Sequence, residues 1–146
     1  MRVLGIDPGE KNIGIAISDP TGTIARPYLI LRHTSRQEDA VAIARLAEEA
    51  GAGAIVVGQA TDSEGRPTVS GRQASRLAAA IRAHTRVPVY LWDESHSTQT
   101  ARAARIAVGA RRKKRRGHLD DQAAAVILQS YLDATPPPED SFTPVP

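Results

Sequence analysis

The chain has no cysteine, which excludes a disulfide scaffold, a thiolate zinc site and a catalytic thiol. Aromatic residues make up only 3% of the 146, with one Phe, one Trp and three Tyr, so a core must be built mainly from Ala, Val, Ile and Leu. No apolar run approaches the roughly 18 residues of a membrane span, and no membrane partner is expected. Met1-Arg2-Val3-Leu4-Gly5-Ile6-Asp7 lacks a signal-peptide pattern and places an acid where the apolar segment should continue, so a cytoplasmic location is expected. Neither G-x-x-x-x-G-K-S/T nor G-x-G-x-x-G occurs, which removes the standard nucleotide loops. His33, His84, His96 and His118 show no metal-ligand spacing and argue against zinc, although His96 lies close to Glu94.

What is present begins with charge. The net charge is +3, but Arg111, Arg112, Lys113, Lys114, Arg115 and Arg116 supply six of the 19 basic residues. Without that run, 13 basic residues face 16 acidic ones, a net of −3. The positive charge is therefore one concentrated patch, suited to a polyanion and above all to nucleic acid. The alternative for such a run is a solvated loop.

The length is that of one domain. Five of the ten prolines fall in the last 11 residues, so residues 1–135 are expected to form the domain and 136–146 a proline-rich, disordered tail. Residues 2–7 read as a strand, followed by a turn at Asp7-Pro8-Gly9 with Gly9 free to take positive φ. In residues 12–19, Ile13, Ile15 and Ile17 alternate with Gly14, Ala16 and Ser18, a strand with two distinct faces. Pro20-Thr21-Gly22 predicts a second turn and residues 23–32 a third strand, completing an antiparallel meander. The rhythm then changes. Ser35 and Glu38 have capping-box spacing ahead of a helix with Ile43, Ala47 and Ala50 on one stripe, ending at Gly51. A buried strand over 54–58, a polar loop over 59–69, a helix carrying Ala74, Leu77, Ala78 and Ile81, and a strand over 89–92 follow. Ser97 can cap a third helix running to about Gly109 with Arg102 and Arg105 on its outer side, and a fourth is expected over 119–134. The pattern is α/β, an antiparallel meander joined to parallel strands in a mixed five-stranded sheet with helices on both faces.

Three acidic positions sit where a buried element meets a loop: Asp7 after the first strand, Asp93-Glu94 after the last, and Asp120-Asp121 at the start of the final helix. Ligand sites in open α/β sheets lie at the carboxyl ends of the parallel strands, where Asp7 and Glu94 would emerge and the final helix could deliver an acid. Two carboxylates about 4 Å apart repel by about 4 kcal/mol at an effective dielectric of 20, so gathered acids need a proton or a cation. Hard oxygen ligands favour Mg²⁺ or Mn²⁺, and such ions serve in-line phosphoryl displacement. Each acid also has a plainer reading, as turn residue, loop start or helix-dipole partner, and spacing does not choose between Asp120 and Asp121. Lys11 and Asn12, just past the Asp7 turn, could touch phosphate.

Gly5-Ile6-Asp7-Pro8-Gly9-Glu10-Lys11-Asn12-Ile13-Gly14-Ile15-Ala16, Ile55-Val56-Val57-Gly58, Asp93-Glu94-Ser95-His96-Ser97-Thr98, and Asp120 followed by Ala123-Ala124-Ala125-Val126-Ile127-Leu128 resemble, in that order, the YqgF/RuvX family. Its members are described as Holliday-junction-resolvase-like proteins and as pre-16S rRNA nucleases of bacteria. The resemblance spans about residues 3–134 and implies a ribonuclease H-like fold and metal-dependent phosphodiester hydrolysis. It puts the family's first acid on Asp7, its acidic pair on Asp93 and Glu94, and its last on Asp120 rather than Asp121. The chain departs from the family in having Ser95 where an arginine is common and Gln59-Ala60 where Leu-Pro is common. Its strand ending at Gly58 also lacks the carboxylate that many ribonuclease H-like nucleases carry there.

The expected function is a metal-dependent nuclease on structured RNA, with pre-16S rRNA the first candidate. The alternative enzyme is a resolvase of branched DNA, since Gly5-Ile6-Asp7-Pro8-Gly9 also resembles the start of the RuvC resolvases. A non-catalytic nucleic-acid-binding module is the alternative of another class. An actin-like ATP-binding fold needs a second lobe that this length does not supply. The residues leave monomer or homodimer open.

Overall fold

A computed structural model describes residues 1–94 and 119–134. Strands β1 (Arg2–Pro8), β2 (Asn12–Ser18) and β3 (Ala25–Arg32) are followed by α1 (Arg36–Ala50), β4 (Ala52–Gln59), α2 (Val69–Arg82), β5 (Val89–Asp93) and α3 (Leu119–Ala134). The five strands form one sheet in the order β3-β2-β1-β4-β5. β1, β2 and β3 pair antiparallel, whereas β4 runs parallel to both β1 and β5. The expected helix over 97–109 with Arg102 and Arg105, His96, the basic run 111–116 and the tail 136–146 lie outside the described residues. Among the described residues no helix is long and apolar enough to cross a membrane.

The two faces of the sheet differ in side-chain size. Ile13, Ile15 and Ile17 join Leu4, Ile6, Ile55 and Val57 on one face and pack on Ala40, Ile43 and Ala47 of α1 and Ala74, Leu77 and Ile81 of α2. The opposite face carries Val3, Ala16, Ala54 and Val56 and packs on Ala124 and Leu128 of α3. The alternation in β2 is therefore large against small, and both sets are buried beneath helices. A side chain at Gly5 would place its Cβ 2.7 Å from Leu128 Cβ and 3.3 Å from the Ala124 carbonyl oxygen, so α3 rests directly on the backbone of β1.

Local signals account for the boundaries. Ser35 Oγ accepts the Glu38 amide at 3.1 Å to start α1. Gly51 ends it at φ 67°, its amide donating to the Ala47 carbonyl. β3 begins two residues later than expected because the Thr23 and Ile24 amides donate to the Asp19 carboxylate at 2.8 and 2.9 Å, leaving them to the turn. The first turn also differs from expectation. β1 runs through Pro8, which pairs with Ile13, and Gly9 is not among the glycines at positive φ. Gly9 is needed for space instead, since a Cβ there would stand 2.4 Å from the Asn12 carbonyl oxygen. Pro8 is tolerated because β4 pairs only with residues 2–6 of β1, so its missing N–H interrupts no ladder on that side.

The approach of α3 at Gly5 leaves no room for a methyl group. Gly5→Ala is expected to lower stability by about 1–3 kcal/mol through overpacking against Leu128. Thermal unfolding checks this: the melting temperature should fall by several degrees, and an unchanged value would mean that α3 is held less closely.

Candidate functional site

The faces just described sort the acidic residues. Along β1, Val3 and Gly5 face α3 while Leu4 and Ile6 face the opposite core, so strand alternation puts Asp7 on the α3 side. Along β5, Val89 and Leu91 face α1 and α2, whereas Trp92 packs on the α3 side. Asp93 and Glu94 thereby separate. Asp93 accepts a hydrogen bond from Thr61 Oγ1 at 2.6 Å, in the loop that follows β4. Glu94 turns the other way and hydrogen-bonds with Asp7. Two of the three sequence-selected acids thus meet at the carboxyl ends of the parallel strands. Asp93 is tied to a neighbouring loop.

Gly58 makes that meeting feasible. A Cβ at Gly58 would lie 3.0 Å from Glu94 Oε1, 3.4 Å from Glu94 Cγ and 2.8 Å from Ile127 Cδ1. Glu94 occupies the space a side chain on β4 would fill. The absence of a carboxylate at position 58 is therefore the structural counterpart of Glu94 leaning over it. The sequence shows that absence without its reason, and nothing in it marks Thr61, a single polar residue in a polar loop.

The electrostatics follow from this crowding. Burial is the main cause that pushes the Glu94 carboxyl above its ordinary value; the Asp93 charge adds to it and the hydrogen bond from Asp7 opposes it. Two carboxyl groups share one hydrogen bond, which requires a proton between them or a cation in its place. Among the described residues the donors are oxygen only, which fits Mg²⁺ or Mn²⁺. Among the residues whose side chains are described, which leave out Asp120 and Asp121, no third His, Cys, Asp or Glu joins the pair. Asp120 lies in the first turn of α3, and its helix position is one turn before Ala124 and two before Leu128, the residues that rest on Gly5. Asp121 follows it in the same turn. Lys11 is exposed in the turn between β1 and β2, and its carbonyl accepts the His33 amide at 2.9 Å.

Known proteins resemble this chain in sequence and in fold. The family model described as RuvX, Holliday junction resolvase, matches residues 1–134. A protein of Geobacillus kaustophilus is 41% identical over 92% of this chain and 99% of its own length. A protein of an Anaeromyxobacter species is 39% identical over 91% of this chain and 97% of its own. Both are named pre-16S rRNA nuclease. Among solved structures, Thermus thermophilus RuvC in complex with a Holliday junction substrate superposes with a TM-score of 0.61 at 17% identity, covering 92% of this chain and 94% of its own. The Fowlpox virus resolvase with Holliday junction DNA gives a TM-score of 0.55 at 13% identity, covering 92% and 98%. At such identities the likeness shows the fold, which is ribonuclease H-like.

The raised carboxyl has a consequence for stability. From about pH 4.5 upward the folded chain holds more protons at Glu94 than the unfolded chain does. Stability therefore declines as pH rises through the folded value. Without divalent cations, Glu94→Gln should flatten that decline and leave the protein at pH 7 as stable as the parent or more so. Urea unfolding across pH 4–7 measures it; a variant markedly less stable at pH 7 would contradict the assignment.

Proposed function

Because this chain belongs to the RuvX family, we propose that it is a metal-dependent nuclease that hydrolyses phosphodiester bonds at the 5′ end of pre-16S rRNA. The observation that carries the reading is the hydrogen-bonded Asp7–Glu94 carboxyl pair at the carboxyl ends of the parallel strands. RNA takes precedence over branched DNA because the relatives at 39–41% identity carry the pre-16S rRNA name, whereas the two resolvase structures superposed above resemble this chain at 17% and 13% identity.

Asp7, Glu94 and Asp120 would hold Mg²⁺ or Mn²⁺. Bound there, the ion would neutralise the scissile phosphate and lower the pKa of a water. The chain's own contribution is positioning. Asp7 is fixed by the ladder with Gly14, and Glu94 is fixed over Gly58. α3 is fixed against Gly5 through Ala124 and Leu128, and Asp120, one turn before Ala124, would be delivered to the carboxylates from there. Asp93, engaged with Thr61, orients the turn from which Glu94 projects. The basic run from Arg111 to Arg116 would bind the phosphate backbone next to the helix that carries Asp120, with Arg102 and Arg105 adding to it.

Asp7→Asn, Glu94→Gln and Asp120→Asn should each lower Mn²⁺-dependent cleavage of an RNA bearing the pre-16S 5′ extension. The loss should exceed the roughly 10- to 100-fold that removal of an outer-shell partner costs, with Asp121→Asn milder than Asp120→Asn. Full activity of Asp7→Asn, or preferential cutting of a four-way DNA junction by the parent, would overturn the reading.

Changing Arg112, Lys113, Lys114 and Arg115 to Ser should flatten the dependence of log affinity on log salt by up to about 3, at about 0.7 per phosphate contact on a single strand. Sequence preference should not change, because such contacts position without reading bases. An unaltered slope would return the run to a solvated loop.

A further inference from the structure

β5 is an edge strand among the described residues, with an exposed aromatic ring at residue 90 and a cation held at the carbonyl of residue 89, neither of which the carboxylate site uses. Strand alternation sets Tyr90, Trp92 and Glu94 on the α3 side of the sheet. Three of the chain's five aromatic residues meet there. Tyr131 of α3 stacks on Tyr90 with ring centroids 6.4 Å apart at 21°, and meets Trp92 edge-on at 5.5 Å and 89°. Trp92 Nε1 donates to Ser130 Oγ at 3.1 Å, which ties the cluster to α3. Trp92 and Tyr131 are half-buried, but Tyr90 remains 46% exposed. An aromatic ring left that open at a sheet edge, in a chain so poor in aromatics, needs an explanation other than the core.

The cation comes from the last turn of α2. Arg82 donates from Nε and Nη2 to the Val89 carbonyl oxygen at 3.2 and 2.6 Å. The preceding carbonyl, that of Pro88, accepts from the Ile55 amide of β4 at 2.9 Å. Successive carbonyls of a strand point to opposite sides, so the Val89 carbonyl faces the open edge and holds the guanidinium there. Arg82 itself is exposed. A fixed positive group therefore stands at the residue before Tyr90.

We propose that Tyr90 and Arg82 form a binding site for an unpaired nucleotide of the RNA strand, the base stacking on Tyr90 and its phosphate meeting Arg82. The proposal rests on the nuclease reading and extends it to the strand beyond the scissile bond. Glu94 lies four residues further along the same face of the strand, about 13 Å away at about 3.3 Å per residue. A strand laid along the edge of β5 would pass from this platform to the carboxylates. Stacking on an aromatic ring tolerates any base and strengthens binding roughly 5- to 150-fold per base. A double helix, its bases already stacked, would gain nothing from Tyr90. The site would thus select an unpaired strand adjoining the cut.

The test is binding of a short oligouridylate RNA and of a blunt RNA duplex to the full chain in the presence of a chelator, so that cleavage plays no part. Trp92, the only tryptophan, should report oligouridylate binding through its emission. Tyr90→Ala should weaken oligouridylate binding about 5-fold or more while leaving the duplex unchanged, and Tyr90→Phe should stay within about 2-fold of the parent. Equal oligouridylate affinity of Tyr90→Ala and parent would overturn the proposal. So would parallel losses for oligouridylate and duplex, which would mark a general effect on the fold. If Glu94→Gln still cleaves while Tyr90→Ala loses single-strand binding, the nuclease site is misassigned and the platform stands.

Discussion

The close seat of α3 on the sheet depends on side chains that are missing. Gly5 lets Ala124 and Leu128 rest on the backbone of β1, and Gly58 leaves the space that Ile127 and Glu94 share over β4. A helix packed over side chains of ordinary size would stand further from the sheet and could not close the same corner. The opposite face, with its isoleucines, valines and leucines, carries most of the apolar burial and holds α1 and α2. The division of labour is physical: the large face supplies stability, and the small face supplies proximity. Proximity is what a carboxylate site requires.

That proximity has an electrostatic cost which itself points to a ligand. Asp7 and Glu94 would repel if both were charged, and burial raises the proton affinity of Glu94 further. A fold selected for stability alone would have no use for two half-buried carboxyl groups in hydrogen-bond contact. A cation removes the conflict, and carboxylate oxygens suit one that binds phosphate. Asp93 shows the contrast. It is the neighbour of Glu94 in sequence, yet its carboxylate is satisfied by Thr61 on the other side of the strand.

Much of this was legible in the residues because periodicity and caps are local. The Ser35–Glu38 spacing marks the start of α1 and Gly51 its end, as the Ser35 cap and the positive φ of Gly51 bear out. The dense apolar block after Asp121 fixes α3, which spans the expected residues 119–134. The alternation of isoleucine with Gly14, Ala16 and Ser18 reveals two faces, but not that both are covered, because a small residue under a close helix reads the same as one facing solvent. The roles of Asp93 and Glu94 were not separable by composition. Strand alternation separates them only when carried from Val89 and Leu91 through to residue 94, and the Thr61 contact spans a loop. Gly9 was expected to serve by its φ and serves by its size, a distinction set by where the Asn12 carbonyl falls. Tyr90 and Arg82 carry no sequence signal as a pair, since it is the hydrogen bond of Arg82 to the Val89 carbonyl that sets the guanidinium one residue from Tyr90.

The most direct measurement is calorimetric titration of Mn²⁺ into the full chain and into Asp7→Asn and Glu94→Gln, repeated in buffers of different ionisation enthalpy to count protons. If the Asp7–Glu94 pair is a cation site, the parent binds Mn²⁺ with release of a proton, and each variant loses most of that affinity. Binding of Mn²⁺ to both variants with the affinity and proton release of the parent would contradict it.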